Sequence, residues 1–346
     1  MNEKPRVCTI ESPCKINLHL KIGEKRPDGY HNLESLFVSL AFGDTLRFER
    51  VEQDGCQLSV NWELPQEIPE GFLGENNLIL RAVTLFRERT GFKSGLRIRL
   101  DKRIPLGAGL GGGSSNAASS LLALNSLADG ALPPDELSKM AAFLGSDAPF
   151  FLSGGAAFVG GRGELVEPVK FPGNLWVVLV KPSFSSATAD AYRLLDRARE
   201  RETCEKRGEA PPENALSGKV LSPTGLSIKG LIRALKEAPS GWPFQNDFLP
   251  VLLGSNSPAE GEQGVNTRIY EAILEALRRE GASFTALSGS GSCCFGIFDS
   301  KAAAERAAKQ LACQTAFRGS KGFPSGQVNF IKFTFFLARR ADPVLE

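Results

Sequence analysis

The chain has 346 residues, of which 42% are hydrophobic and 23% charged, an ordinary globular balance that excludes wholesale disorder. Lys and Arg number 41 against 39 Asp and Glu, and the resulting +2 makes no case for a nucleic-acid or membrane-surface binder. The only histidines are His19 and His31, which argues against a zinc hydrolase and leaves little material for Ser-His-Asp catalysis.

Residues 15–22 alternate. Ile16, Leu18, Leu20 and Ile22 point one way, and Lys15, Asn17, His19 and Lys21 the other. This period predicts a strand with one buried face and one solvated face. Pro27-Asp28-Gly29 reads as a turn. Strand-like runs follow at 36–40, 45–51, 57–62 and 96–100, with a helix expected over 77–89 and closed by Gly91. The glycine-rich run Gly107 to Gly113 leads into a helix that Ser114 or Ser115 can cap and Gly130 can end. Pro133 and Pro134 open a further helix that stops at Gly145. Paired strands are expected within 150–169, turning at Gly160-Gly161. A second αβ region starts at Leu175 to Val180, an apolar run too short to cross a bilayer. Residues 198–226 are polar and read as a surface insertion. Helices are expected at 228–238, 266–280 and 301–311, and strands at 284–287, 294–298 and 329–336. The seven cysteines include no Cys-x-x-Cys pair and read as free thiols. With no apolar core in the first residues to act as a signal, a cytoplasmic protein is expected.

Four clusters could carry chemistry. The strongest is Pro105-Leu106-Gly107-Ala108-Gly109-Leu110-Gly111-Gly112-Gly113-Ser114-Ser115. Its glycines leave backbone N–H groups unshielded, and a helix N-terminus follows at once, which together suit a phosphate. A Walker A loop would end in Gly-Lys-Ser/Thr, and no lysine is present. The dinucleotide pattern G-x-G-x-x-G does match at Gly107, Gly109 and Gly112, so a dinucleotide oxidoreductase is an alternative. Against it, Pro105 separates strand from loop and no acidic residue ends a following strand. The second cluster is Lys15 with Asn17, which matters only if a phosphate or carboxylate lies opposite. The third is Asp147 in Gly-Ser-Asp-Ala-Pro, read either as a turn former or as a base for an attacking hydroxyl. The fourth is the glycine loop 288–292, a tight turn or a second source of N–H donors.

The order of these parts resembles the GHMP kinase superfamily of small-molecule kinases. The resemblance rests on PCKINL at 13–18, RPDGYH at 26–31, PLGAGLGGGSSNAA from 105, GSDAPFF from 145 and SGSGS at 288–292. It implies an α+β, two-domain GHMP kinase fold, with an ATP-binding domain over 1–165 and a substrate domain over 166–346. The Asp-Gly-Tyr-His element resembles the branch acting on 4-diphosphocytidyl-2-C-methylerythritol rather than on mevalonate, homoserine or galactose. In that reading residues 105–115 wrap the phosphates of ATP, Mg²⁺ travels with the nucleotide, and Asn77 lies near adenine. Asp147 receives the hydroxyl proton or orients the hydroxyl, and Lys15 sits beside it. Asn17 positions the polyol, and Tyr30, His31 and Tyr192 meet the cytosine. Gly289, Ser290 and Gly291 close the phosphate side. The expected partner is this small molecule carrying cytidine diphosphate, with no nucleic acid and no membrane. Residues 198–226 and the loop 254–264 look longer than the family's pattern.

Overall fold

The computed structural model describes residues 7–171, 173–210, 228–254, 268–316, 327–339 and 342–346. In chain order the first half runs β1 (Val7–Lys25), β2 (His31–Val51), β3 (Cys56–Trp62), α1 (Leu78–Thr90), β4 (Gly95–Lys102), α2 (Gly112–Leu127), α3 (Pro134–Leu144), α4 (Ala148–Ser153), β5 (Ala156–Gly160) and β6 (Leu165–Val169). The second half runs β7 (Trp176–Pro182), α5 (Thr188–Arg207), α6 (Ile228–Ala234), α7 (Phe248–Gly254), α8 (Arg268–Arg279), β8 (Phe284–Leu287), β9 (Cys294–Phe298), α9 (Lys301–Ala316), β10 (Val328–Phe335) and β11 (Val344–Leu345).

The first sheet is built on the β1–β2 hairpin and has the order β11-β1-β2-β4-β3, with β5 also pairing β2 and β6 pairing β5. The two runs expected at 36–40 and 45–51 are one strand, because its halves serve different neighbours. Ser35 to Val38 pair with β5, and Thr45 to Val51 pair with β4. β3 and β4 are parallel, which demands a crossover, and α1 supplies it. Asn77 caps α1, its side chain accepting from Ile79 N, and Gly91 ends it in the left-handed region at φ 68°. The second sheet is antiparallel, order β10-β7-β9-β8. The division expected at residue 165 falls in the β5–β6 hairpin of the first sheet, and β11 returns to pair with β1.

Several expectations change. Residues 150–153, expected in a strand, belong to α4, since Pro149 sits in a first turn where its missing N–H is harmless. The start of the polar stretch 198–226 is the last part of α5, whose Ala191, Leu195 and Ala198 are buried; the remainder from 211, like 255–264, lies outside the described residues. The polar side of β1 is not solvated: Lys15, Asn17 and His19 are 3%, 2% and 1% exposed. Alternation reports two faces, but it does not say that the second face meets water. Here the glycine loop and Phe37 cover Lys15 and Asn17, while a register shift between Asn17 and His19 turns His19 to the other face, against Phe244 and the segment around Gln245.

On the opposite side Ile16, Leu18, Leu36 and Val38 share one core with Val177, Leu179, Phe295 and Ile297 of the second sheet. Each such side chain contributes roughly 1.5–3 kcal/mol on burial. This shared core fixes the two sheets against each other and so fixes the cavity between their loops. Cys14, Cys293 and Cys294 are free thiols, and burial pushes each of them up, which leaves them inert packing groups.

Candidate active site

The glycine loop is positioned by an irregularity in β1. The β1–β2 register shifts between Pro13 and Lys15. Such a bulge takes backbone groups out of the ladder and re-aims side chains. The freed Lys15 N–H donates to Leu110 O at 3.0 Å, tying the loop across the strand. The loop's other side lies on residues 288–293. Ser292 N donates to Gly107 O (3.3 Å), Cys293 N to Ala108 O (3.1 Å) and Ser288 Oγ to Gly109 O (2.9 Å). Gly109 has φ +72°, and a Cβ there would lie 2.1 Å from Ser288 O. The two glycine loops approach this closely only because that atom is missing.

α2 starts earlier than expected. Its N-cap is Gly111 in the left-handed region, with no side-chain cap bond, and Ser114 and Ser115 lie inside the helix. Ser115 Oγ is turned inward and accepts from Ser12 Oγ at 2.8 Å. The first-turn N–H groups of α2 therefore receive no side-chain cap and are available to an anion.

Beneath the loop is a cavity of about 270 Å³. It is lined by residues 105–113 together with Lys15, Asn17, Asp147, Tyr192, Gly289 and Ser290. Residues far apart in sequence thus meet at one place. Lys15 Nζ lies 3.5 Å from Asp147 Oδ2, donates to Asn17 Oδ1 at 2.6 Å, and sits 4.7 Å from the centroid of the Phe37 ring. Asn17 Nδ2 in turn donates to Ser35 Oγ at 2.9 Å, which fixes the amide's orientation. Asp147 stands at the N-cap of α4 but makes no cap bond, so its carboxylate is committed to Lys15 and the cavity. Burial pushes the Tyr192 hydroxyl up to about 12, so this ring stays neutral.

Other expected residues lie elsewhere. Asn77 Oδ1 accepts from Ile79 N and its Nδ2 donates to Phe72 O at 2.8 Å, so its amide is spent on the cap of α1. Tyr30 is 54% exposed, with the Arg162 guanidinium 4.8 Å from its ring centroid. His31 is buried behind Tyr192 and does not line the cavity. Gly291 backs onto the Tyr270 hydroxyl, where a Cβ would sit 3.2 Å away.

Sequence reasoning missed Thr188 and Lys102, which also line the cavity. Lys102 follows Leu96, Ile98 and Leu100 in the inward register of β4, so the alternation itself signalled a buried lysine. Its Nζ donates to Asp44 Oδ2 at 2.8 Å and to Ile104 O, while Asp44 Oδ1 accepts from Arg103 N and Ile104 N, both at 2.7 Å. Asn116 Nδ2 reaches the same carboxylate at 3.1 Å. This network holds the entry to the glycine loop and the first turns of α2 to one point. The loop does not open a doubly wound parallel sheet, because β4 lies between antiparallel β2 and parallel β3, which removes the setting a dinucleotide turn needs.

Residues 77–155 match the model of the GHMP kinases N terminal domain, and residues 250–316 match GHMP kinases C terminal. The 4-diphosphocytidyl-2-C-methyl-D-erythritol kinase of Prosthecochloris aestuarii is 36% identical over 307 residues, covering 88% of this chain and 93% of the relative. The chain belongs to the 4-diphosphocytidyl-2-C-methyl-D-erythritol kinases, within the GHMP kinase superfamily. A crystal structure of 4-(cytidine 5'-diphospho)-2C-methyl-D-erythritol kinase has the same fold, with a TM-score of 0.62 at 27% identity over 94% of this chain and 99% of that one. The chloroplastic enzyme of Oryza sativa subsp. japonica is 46% identical over 187 residues, 53% of this chain and 45% of the relative, so this match spans about half the relative's length. Family membership accounts for the α+β architecture. Among the described residues, no helix is long and apolar enough to cross a membrane.

Proposed function

We propose that the chain transfers the γ-phosphoryl group of ATP to the tertiary 2-hydroxyl of 4-diphosphocytidyl-2-C-methyl-D-erythritol. The observation that carries this reading is the Lys15–Asp147 contact at 3.5 Å, on a cavity that the glycine loop roofs and Tyr192 bounds. Phosphoryl transfer asks mainly for positioning and charge neutralisation, which these groups supply. The uncapped start of α2 and the bare loop N–H groups hold the phosphates. Lys15 draws the incoming phosphoryl oxygens toward Asp147 and offsets the charge that spreads over them in the transition state. Asp147 accepts the hydroxyl proton or fixes the hydroxyl's direction of attack. Asn17, held by Ser35, orients the polyol, and Tyr192 offers a flat neutral surface to the base. Asp147 is the one carboxylate among the described cavity-lining residues. Mg²⁺ arriving with ATP would therefore take phosphate oxygens and water as its other ligands, and it would add further neutralisation of phosphate charge.

The test is an assay of ADP release by the purified chain, with the cytidylyl acceptor, mevalonate and homoserine offered in parallel. Turnover confined to the cytidylyl acceptor supports the reading. Turnover of mevalonate or homoserine with none of the cytidylyl compound would move the chain to a sister specificity.

A further inference from the structure

The environment of His31 is not that of a side chain reading a ligand. Its Nδ1 lies 3.0 Å from the Gly23 carbonyl and its Nε2 3.2 Å from Asp196 Oδ1, so both ring nitrogens face protein acceptors. The ring stacks on Tyr192, with centroids 5.1 Å apart and planes 27° from parallel. On its other side Tyr192 meets the edge of Phe248 at 5.0 Å. The cavity-lining aromatic is thus held between two rings, and His31 is itself held by Asp196.

Asp196 is one of three residues that act from a single stripe of α5. Tyr192, Asp196 and Arg199 follow at i, i+4 and i+7, which places them on one helix face. The Arg199 guanidinium donates to Gly23 O at 2.7 Å and to Ile22 O, and it lies 3.8 Å from Asp247 Oδ2. That same carboxylate oxygen accepts from Ile22 N at 2.8 Å. Lys25 Nζ adds a contact of 3.4 Å to Asp196 Oδ2. The end of β1 and the start of β2 are therefore fastened to α5 from both sides.

We propose that Asp196 and Arg199 are positioning residues for acceptor specificity: they clamp the β1–β2 turn segment to α5, so that His31 braces the Tyr192 ring for a flat nucleobase. The clamp acts through Tyr192 and touches neither the glycine loop nor the Lys15–Asp147 pair. It rests on the cytidine-bearing acceptor proposed above, and the experiment separates the two.

Steady-state kinetics of Asp196→Ala and Arg199→Ala give the first readout. Each raises KM for the cytidylyl acceptor by about tenfold or more, the loss expected for a hydrogen bond to a charged group, while KM for ATP and kcat stay within about twofold. Asp196→Asn keeps an acceptor oxygen for Nε2 and stays within about threefold of wild type. The double variant His31→Ala/Asp196→Ala is no worse than the worse single, because both remove one contact. An unchanged acceptor KM, equal rises for acceptor and ATP, or additive losses in the double variant overturn the clamp. The second readout needs no substrate. With only two histidines in the chain, ¹⁵N-histidine NMR resolves each ring, and Asp196→Ala shifts the His31 signals while leaving those of His19 in place. Unmoved His31 signals sink the clamp whatever the kinetics show. A wild-type protein that does not phosphorylate the cytidylyl compound sinks the functional reading, whereas shifted His31 signals then sustain the clamp.

Discussion

Replacing Gly109 by alanine tests whether the two glycine loops are built for backbone-to-backbone contact. The new Cβ would meet Ser288 O at 2.1 Å and Gly291 O at 3.0 Å, and both are backbone atoms that no rotamer change can remove. Holding a non-glycine residue at φ +72° adds a second penalty. The left-handed conformation costs roughly 1–2 kcal/mol and overpacking roughly 1–3 kcal/mol, so Gly109→Ala should lose ~2–5 kcal/mol of stability. Gly113→Ala is the control. There the nearest atom to a Cβ is Leu78 Cδ1 at 3.5 Å, an ordinary contact, and the residue is helical. Alanine should be neutral or stabilising by up to ~1 kcal/mol. Urea unfolding of both variants measures the difference, and ATP titration should show weaker binding by Gly109→Ala. A Gly109→Ala protein as stable as wild type, or a Gly113→Ala protein equally damaged, would refute the reasoning.

Three further outcomes are expected. Asp147→Asn and Lys15→Ala should each lower kcat by at least ~10² with ATP affinity near wild type; near-normal turnover in both would remove them from the chemistry. Asp44→Ala strands the Lys102 ammonium, which is 1% exposed, and removing one member of a buried pair costs ~3–5 kcal/mol in urea unfolding. Adding Lys102→Met should recover part of that loss. His19 is held neutral by burial, its value lowered from 6.5 to about 4, and its Nδ1 accepts from Gln245 N at 3.2 Å. Because the unfolded chain binds the proton more tightly, this stabilisation is complete above pH 6.5 and fades as pH falls toward 4. The loss should reach at most ~3 kcal/mol, and His19→Gln should flatten the slope in that window.

Much of the fold was legible locally. The bounds of α1 followed from Asn77 and Gly91, and those of α3 from Pro133, Pro134 and Gly145, because caps act through the backbone of their own turn. The start of α2 was misread because serines looked like caps. The left-handed Gly111 takes that place, and Ser115 is drawn instead into a buried bond with Ser12, more than a hundred positions away in the chain. Helix α4 was hidden because Phe150 and Phe151 suit a strand as well as a buried helix.

The site divides in the same way. A glycine loop with unshielded N–H groups leading into a helix could be read from residues 105–115 alone, since both are local properties. So could the presence of Lys15, Asn17 and Asp147, but not their meeting. Taken singly, Lys15 and Asn17 read as a wet strand face and Asp147 as a turn former. The bulge at Cys14, the shared core between the sheets and the packing of one glycine loop on the other bring them to a single cavity. His31 shows the limit most plainly. Its sequence neighbours Asp28, Gly29 and Tyr30 associate it with ligand reading, yet Gly23 and Asp196 engage both its nitrogens. A side chain's partners are set by whatever tertiary packing brings within about 3 Å, and local sequence carries no record of a contact 165 positions distant.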